Sequence, residues 1–305
     1  MNICLSYIGK LPDYIVDCIY QIRLFTKMNI YLIMNDIKSP HLLEIQKYDV
    51  ILIQYKDVYS SKFNECIKQN STKIQIIDYI DREELFLRSI ERFYILQNTM
   101  ILNDLSDVLF MEIDNLIYDD PCNWLLEFQK NDICYMFDNY DRCSSGIMYI
   151  KNKYSMTEML DSFIDFINNS KNEHINEMSL LYKYFISNTK TIKLQILPTF
   201  WNDCNMLDII KQNYEKYDSI FDAAALGIML FGTDSYLLQN SNFHKDFTKE
   251  KWWPSYIDYT NYNIKWFKDD KNRLIPYINN GEKWIKINNL HIHSKNLYKA
   301  LSNTR

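Results

Sequence analysis

The sequence predicts an α/β fold in which helices flank a mostly parallel central sheet. Three short apolar runs, at 3–8, 29–34 and 50–54, have the length and composition of buried parallel strands. Helical spacing of apolar residues separates these runs, first at 11–25, with Pro12 in the first helical turn. Because parallel strands need a crossover connection, strands that alternate with helices favour this architecture.

The following residues continue the alternation. We predict strands at 73–77, 108–111, 133–137, 145–150 and 193–197, and helices at 83–100, 121–130, 156–168 and 176–186. From residue 203 the pattern weakens and aromatic residues accumulate, so we predict a less regular, aromatic-rich C-terminal portion. Within this portion, Asn280 and Gly281 predict a hairpin, and a short strand is predicted at 288–294.

Length and composition indicate one globular domain over residues 1–305. The net charge of −5 argues against a general nucleic-acid binder, which would present a basic face. The seven cysteines include no CxxC pair, so neither a disulfide framework nor a zinc site is predicted. The N-terminus lacks a charged segment followed by a long apolar run. We therefore expect no signal peptide, no membrane span and a cytoplasmic location.

The most informative stretch is the predicted strand at 108–111 and the residues after it. The apolar run Val-Leu-Phe-Met is followed by Glu112 and Asp114, and residues two apart project from the same face of a strand. Ligands bind at the carboxyl edge of open α/β sheets, and paired carboxylates at that edge suit Mg²⁺ or Mn²⁺. The alternative is a strand that leaves the core and meets water at a polar turn.

A second polar pattern lies near the C-terminus, in the sequence LHIHSK. Strand alternation puts both histidines, His291 and His293, on the face opposite to Leu290. A neutral imidazole can complete the coordination of a divalent metal, and Lys295 can meet a phosphate as a point charge. The alternative is a solvent-exposed polar face on an edge strand.

Three further charged residues are candidates for the site. Arg92, on the predicted helix before 108–111, could aim its guanidinium at a diphosphate or pair with a neighbouring acid such as Glu91. Glu177 opens a predicted helix, and Asp222 lies among alanines and a glycine that leave room for a sugar ring. Either acid could instead cap the helix that follows it.

Taken in order, these segments resemble the nucleotide-sugar glycosyltransferases of the GT-A fold. The series comprises Arg92, the run DVLFMEIDNLIY, the strand SSGIMY, the helix start at Glu177, the segment LPTFWN, and a late histidine followed by lysine in HSK. The blocks FDAAALG and NNLHIHSKNL look like those of uncharacterised viral and microbial members. The resemblance spans residues 3–297 and depends on the order of the motifs rather than on any one of them.

The resemblance implies a Rossmann-like GT-A domain that transfers a sugar from a nucleoside diphosphate sugar to a glycan or another hydroxyl acceptor. Residues 1–118 would form the nucleotide-binding half and residues 119–305 the acceptor and sugar half. Mn²⁺ or Mg²⁺ would bridge Asp114, His293 and the two phosphates as a Lewis acid. The residues implied to contact the donor are Tyr7, Ile8, Gly9, Asn35, Arg92, Glu112, Ser145, Gly146, His291 and Lys295.

The resemblance leaves the stereochemistry of transfer open. In an inverting reaction a carboxylate must deprotonate the acceptor hydroxyl, and Asp222 is the first candidate and Glu177 the second. In a retaining reaction both acids would bind sugar hydroxyls instead. Glu112 departs from the aspartate of the family, so a non-catalytic nucleotide-sugar- or carbohydrate-binding protein on the same fold is the alternative function. A homodimer is left open, and a viral member would act in the host cytoplasm.

Overall fold

The computed structural model describes residues 1–70, 85–139, 141–171, 175–187, 191–202, 213–233, 257 and 259–305. The strands within these ranges are β1 (Asn2–Tyr7), β2 (Ile30–Met34), β3 (Val50–Gln54), β4 (Val108–Met111), β5 (Asn115–Ile117), β6 (Ile133–Asn139), β7 (Arg142–Ile150), β8 (Leu194–Leu197), β9 (Ser219–Ile220), β10 (Asn263–Lys268), β11 (Leu274–Asn279), β12 (Trp284–Ile287) and β13 (Asn289–His291). The helices are α1 (Tyr14–Phe25), α2 (Leu42–Gln46), α3 (Tyr55–Val58), α4 (Ser61–Gln69), α5 (Leu85–Leu102), α6 (Cys122–Phe128), α7 (Lys153–Asn169), α8 (Glu177–Ile186), α9 (Tyr214–Tyr217) and α10 (Ala225–Phe231).

The largest sheet has seven strands in the order β3-β2-β1-β4-β7-β6-β8. Among the described strands of this sheet, β7 runs antiparallel to both of its neighbours, and the other pairs are parallel. This arrangement confirms the predicted α/β fold with a mostly parallel central sheet flanked by helices. The strand predicted at 73–77 and the first two residues of the helix predicted at 83–100 lie outside the described residues.

Both faces of this sheet are covered by buried apolar side chains. In β4, Leu109 and Met111 pack into one core with α1, whereas Val108 and Phe110 pack into a second core with α5, α7 and α8. Since side chains alternate along a strand, the next residue on the α5 side is Glu112. Glu112, directly after β4, therefore places its carboxylate against the middle of α5, where Arg92 lies.

The helix that contributes Arg92 is α5, which has 18 residues and leads into β4. Its residues Ile90, Phe93 and Leu96 are fully buried in the second core, so the neighbouring Arg92 is held close to the sheet. Of the helices that the structure describes, none combines the length and the apolar character needed to cross a membrane.

Much of the C-terminal portion lies outside the described residues, and its described part includes the strand β10, which the sequence did not predict. It contains β10, β11 and β12 of a four-stranded sheet, and the predicted hairpin is present, with Asn280 N donating to Lys283 O at 3.2 Å. The predicted last strand is shorter than expected, because β13 ends at His291 and a turn follows. Antiparallel pairing of β13 with β5 sets His291 opposite Asn115 and so brings the C-terminal segment beside the acids that follow β4.

Candidate functional site

Three side chains converge where β4 ends and β13 passes β5. The Nε2 atom of His291 lies 3.2 Å from Asp114 Oδ1 and 3.4 Å from Glu112 Oε2. One potential ligand atom from each of these residues lies within 4.8 Å of the other two. Two carboxylates and one imidazole at this separation could hold a divalent cation. The predicted convergence of Glu112 and Asp114 on one site is thus present.

The orientation of His291 is fixed by its other ring nitrogen. Nδ1 lies 2.8 Å from the carbonyl oxygen of Ala223, which can only accept, so Nδ1 carries the proton. The backbone N–H of His291 donates to Asp222 Oδ2 at 3.0 Å. In the neutral ring, the Nε2 lone pair therefore points at the two carboxylates. Metal-binding histidines are commonly oriented by such a second hydrogen bond to a carbonyl.

The electrostatics of the cluster favour charged groups. Burial disfavours charge on Glu112, but Arg92 and His291 nevertheless lower the pKa of Glu112 to about 2. Burial likewise opposes the charge of Asp114, and Lys295 and His291 hold its pKa well below the usual range. Burial also favours neutral His291, but Asp114 and Glu112 raise its pKa well above the usual value. A divalent cation would compete with the proton on His291 Nε2.

His293 lies beside this cluster but does not belong to it. Among the described residues, the set of potential metal ligands contains His291, whereas the sequence-based assignment chose His293. The two rings have centroids 4.3 Å apart, which agrees with their predicted common face. We therefore favour His291 as the metal ligand, because β13 ends at His291 and the chain then turns, with Lys295 N donating to Ile292 O at 3.0 Å.

The imidazole of His293 nonetheless packs against that of His291. Its Nε2 is buried and has no hydrogen-bond partner among the residues that the structure describes. Burial, together with the positive charges of His291 and Lys295, lowers the pKa of His293 to about 3. The ring is therefore neutral at ordinary pH and can accept a hydrogen bond from a ligand.

Lys295 places an ammonium group at the same cluster. Its Nζ pairs with Asp114 Oδ2, and its side chain is 36% exposed, so the group also reaches solvent. The backbone of Lys295 has φ +62°, a left-handed conformation that costs a side-chain-bearing residue about 1–3 kcal/mol. The role of Lys295 at a phosphate remains a prediction.

Arg92 lies behind the cluster, between two acids. Its Nη2 donates to Glu112 Oε1 at 2.7 Å and to Ser145 Oγ at 2.8 Å, and it lies 3.6 Å from Glu177 Oε1. Ser89 Oγ donates to the other oxygen of Glu177 at 2.6 Å. The structure thus pairs Arg92 with Glu112 and Glu177 rather than with Glu91.

Asp222 has both carboxylate oxygens engaged by backbone N–H groups. Oδ1 accepts from Leu226 N at 3.0 Å, and Oδ2 accepts from Gly227 N at 2.8 Å and from His291 N at 3.0 Å. The residue is 2% exposed. Burial raises the pKa of Asp222, and the hydrogen bonds from His291 and Gly227 oppose this shift. This geometry fits a residue that caps α10 and holds β13, and it favours that structural role over the general-base role first considered for Asp222.

The replacement Asp222→Asn is expected to lower the free energy of unfolding by about 1–3 kcal/mol, because the amide NH₂ would face a backbone donor. Urea denaturation measures this loss. The exposed Asp218, whose left-handed φ of +47° asparagine also tolerates, provides the matched control Asp218→Asn, expected within about 0.5 kcal/mol of the native protein. Native stability in Asp222→Asn together with lost turnover would instead support a catalytic base.

The residues predicted to hold the nucleotide lie at the carboxyl ends of adjacent strands. Gly9 N donates to Asn35 Oδ1 at 2.9 Å, which joins the end of β1 to the end of β2. Gly9 has φ +135°, a conformation that favours glycine. Tyr7 ends β1, Ile8 follows it, and the charges of Lys295 and Asp114 act on the Tyr7 phenol, whose pKa is raised mainly by burial.

Gly146 and Ser145, which were predicted beside the sugar, lie in β7 next to the acids. A Cβ atom at Gly146 would lie 3.1 Å from both Asn115 Nδ2 and His291 Nδ1. Glycine at this position therefore lets β7 approach the histidine closely. Ser145 is 1% exposed and its hydroxyl accepts from Arg92, so in this structure the side chain supports the cluster from behind.

Sequence reasoning missed Asp138, at the end of β6. This carboxylate is 2% exposed, with Oδ2 3.1 Å from Arg142 and with no partner for Oδ1 in the described part of the chain. Burial raises the pKa of Asp138 to about 6, and the charges of Arg142 and His291 counteract this. The signal was the one used for Glu112, an acid that ends an otherwise apolar strand, here ICYMFDN.

Comparison with known proteins gives similarities to solved structures alone. No family model matches the chain, and no curated protein matches it. Mouse xyloside xylosyltransferase 1 has 8% identity and a TM-score of 0.39, with 67% of this chain and 88% of that chain covered. PaToxG glycosyltransferase has 16% identity and a TM-score of 0.33, with 60% of this chain and 68% of that chain covered. GlyE of Streptococcus pneumoniae TIGR4 has 14% identity and a TM-score of 0.40, with 64% of this chain and 45% of that chain covered.

All three proteins are glycosyltransferases by their descriptions, the class that the motif series resembles. This chain spans less than half of the GlyE chain. At these identities and TM-scores the similarities assign neither a family nor an activity, so the function is inferred from the residues of the site.

Proposed function

We propose that the protein is a metal-dependent glycosyltransferase that moves a sugar from a nucleoside diphosphate sugar to a glycan or another hydroxyl acceptor. The observation that carries the proposal is the cluster of Glu112, Asp114 and His291 at the carboxyl edge of a mostly parallel sheet. This edge is where open α/β sheets bind their ligands. The ordered motif series that resembles GT-A enzymes supports the same conclusion.

The donor atoms of the cluster fit Mn²⁺ or Mg²⁺. Two carboxylates supply hard oxygen ligands, and His291 supplies a nitrogen whose orientation is fixed by Ala223. In the proposal Asp114 and His291 hold the cation, and Glu112 contacts it or the ribose. The bound cation would act as a Lewis acid that neutralises charge on the leaving diphosphate.

The surrounding residues would bind the donor. Tyr7, Ile8, Gly9 and Asn35 end two adjacent strands and would contact the base and ribose. Lys295, which reaches both the cluster and solvent, would stabilise the diphosphate as a point charge. Neutral His293 would accept a hydrogen bond from the nucleotide sugar, since its Nε2 has no hydrogen-bond partner among the described residues. These roles remain predictions.

Two carboxylates remain candidates for contact with the sugar or the acceptor hydroxyl. Glu177 has its pKa raised by burial although Arg92 and Ser89 favour its charged form, and Asp138 has a buried oxygen without a hydrogen-bond partner among the described residues. A carboxylate with a pKa of about 6, as burial gives Asp138, suits a general base near neutral pH. An inverting enzyme would use one of these acids as base, whereas a retaining enzyme would use both to bind hydroxyls.

Hydrolysis of nucleotide sugars tests the proposal. A panel of uridine, guanosine and cytidine diphosphate sugars is incubated with the full chain and Mn²⁺, and release of the nucleoside diphosphate is measured. We expect release from one donor class, dependent on Mn²⁺ and abolished by a chelator. A raised melting temperature with a nucleoside diphosphate and Mn²⁺ but no turnover with any donor and acceptor would support the non-catalytic alternative. If the protein neither bound a nucleoside diphosphate nor turned over any donor, the proposal would be overturned.

A further inference from the structure

The position of Arg92 gives this residue a more specific role than contact with a diphosphate. We propose that Arg92 is a positioning residue for the metal site, which acts by holding the Glu112 carboxylate towards His291. The inference rests on the proposed function, because it assigns a task to Arg92 within the same cluster. It differs from the role that the sequence first suggested, in which the guanidinium reaches the leaving diphosphate directly.

The contacts of Glu112 divide its two oxygens between two partners. Oε1 accepts from Arg92 Nη2 at 2.7 Å, and Oε2 lies 3.4 Å from His291 Nε2. Because a carboxylate is planar, fixing one oxygen restricts the direction of the other. Arg92 therefore determines which oxygen of Glu112 is presented to a cation held by Asp114 and His291.

The Arg92 side chain is itself restrained on several sides. It is 14% exposed, its Nη2 also donates to Ser145 Oγ at 2.8 Å, and Glu177 Oε1 lies 3.6 Å away. Its guanidinium carbon lies 5.4 Å from the ring centre of Phe93 and 5.6 Å from that of Phe110. These contacts hold the guanidinium in one place. Movement towards a ligand on the far side of Glu112 would break them.

Glu177, on α8, also restrains the Arg92 guanidinium. It pairs with Arg92, and Ser89, one turn before Arg92 on α5, donates to its second oxygen at 2.6 Å. A single guanidinium thus joins α5, β7, α8 and the end of β4. Supporting groups of this kind typically change metal affinity by about 10–100-fold when they are removed.

The charge-preserving replacement Arg92→Lys separates position from charge. Lysine keeps the positive charge but lacks the planar group that lies beside Phe93 and Phe110. We expect the affinity for Mn²⁺ alone, measured by electron paramagnetic resonance of the free ion, to fall about 10-fold or more. Affinity for the nucleoside diphosphate without metal is expected to stay unchanged. Arg88→Lys, one turn earlier on α5, is the matched control and should keep native Mn²⁺ affinity.

A double-mutant cycle with Glu112→Ala tests whether Arg92 acts through Glu112. We expect Arg92→Lys to have no further effect on Mn²⁺ affinity once Glu112 is alanine, which a general loss of structure would not produce. Native Mn²⁺ affinity in Arg92→Lys, with weaker metal-free binding of the nucleoside diphosphate, would overturn the inference. It would instead support the earlier prediction that Arg92 contacts the diphosphate. If the unmodified protein binds no Mn²⁺, the proposed function fails and the inference fails with it.

Discussion

Replacement of Asp114 by asparagine is expected to abolish Mn²⁺ binding and to slow nucleotide-sugar hydrolysis by about 10³-fold. Asp114 is the acid closest to His291 Nε2, at 3.2 Å, and it also pairs with Lys295. Asparagine keeps the volume but removes the charge that a divalent cation requires. Several kcal/mol of charge stabilisation depend on the cation, and about 4 kcal/mol corresponds to 10³-fold in rate.

Titration with Mn²⁺ and a hydrolysis assay measure the two effects, and near-ultraviolet circular dichroism confirms the fold of the variant. The matched control is Asp120→Asn, an acid that lies just beyond β5 and outside the cluster. It should bind Mn²⁺ and turn over as the native protein does. Mn²⁺ affinity that survives in Asp114→Asn would show that the cluster is not the metal site.

A comparison of the two histidines extends this test. His291→Ala should match Asp114→Asn in its loss of Mn²⁺ binding, because His291 supplies the nitrogen that faces both acids. His293→Ala should keep Mn²⁺ binding and weaken only binding of the donor, because its ring lies outside the ligand group. Loss of Mn²⁺ binding in His293→Ala but not in His291→Ala would instead support His293 as the metal ligand, as the sequence analysis assigned it.

The main sheet and the convergence of the acids could be predicted because they depend on local patterns. Short apolar runs such as VLFM predict buried strands, and period-two alternation predicts that Glu112 and Asp114 share a face. The same alternation predicts that His291 and His293 lie side by side, and their rings are 4.3 Å apart although a turn rather than a continued strand follows His291. These inferences need no knowledge of distant contacts.

The ligand set that we propose could not be predicted from the sequence, because it depends on contacts between residues far apart in the chain. His291 is selected by the carbonyl of Ala223 and by pairing of β13 with β5. Three backbone N–H groups, one of them from His291, engage the oxygens of Asp222, and these distant contacts favour a structural role for it over that of a general base. Asp138 ends an apolar strand in the same way as the acids after β4, but only the fold shows that β6 lies in the same sheet.

Replacement of Gly227 by alanine is expected to destabilise the protein by about 3 kcal/mol or more. A Cβ atom at this position would lie 1.9 Å from the carbonyl oxygen of His291 and 2.7 Å from its carbonyl carbon. Both atoms belong to the backbone, so no side chain can rotate away. Relief requires α10 to move away from β13, which would also disturb the hydrogen bonds from Gly227 and His291 to Asp222.

Urea denaturation of Gly227→Ala measures the loss, and the Mn²⁺ titration shows whether displacement of β13 also weakens the metal site. Gly232→Ala, at the end of α10, separates crowding from backbone strain: Gly232 has φ +77° but open space around its missing Cβ. With ψ −174°, Gly232 lies in a backbone region that essentially only glycine adopts, so Gly232→Ala should cost about 1–3 kcal/mol through backbone strain alone and leave Mn²⁺ affinity native. If Gly227→Ala proved no more destabilising than Gly232→Ala, the close approach of α10 to His291 would be refuted. The support for the histidine orientation that comes from α10 would then be lost as well.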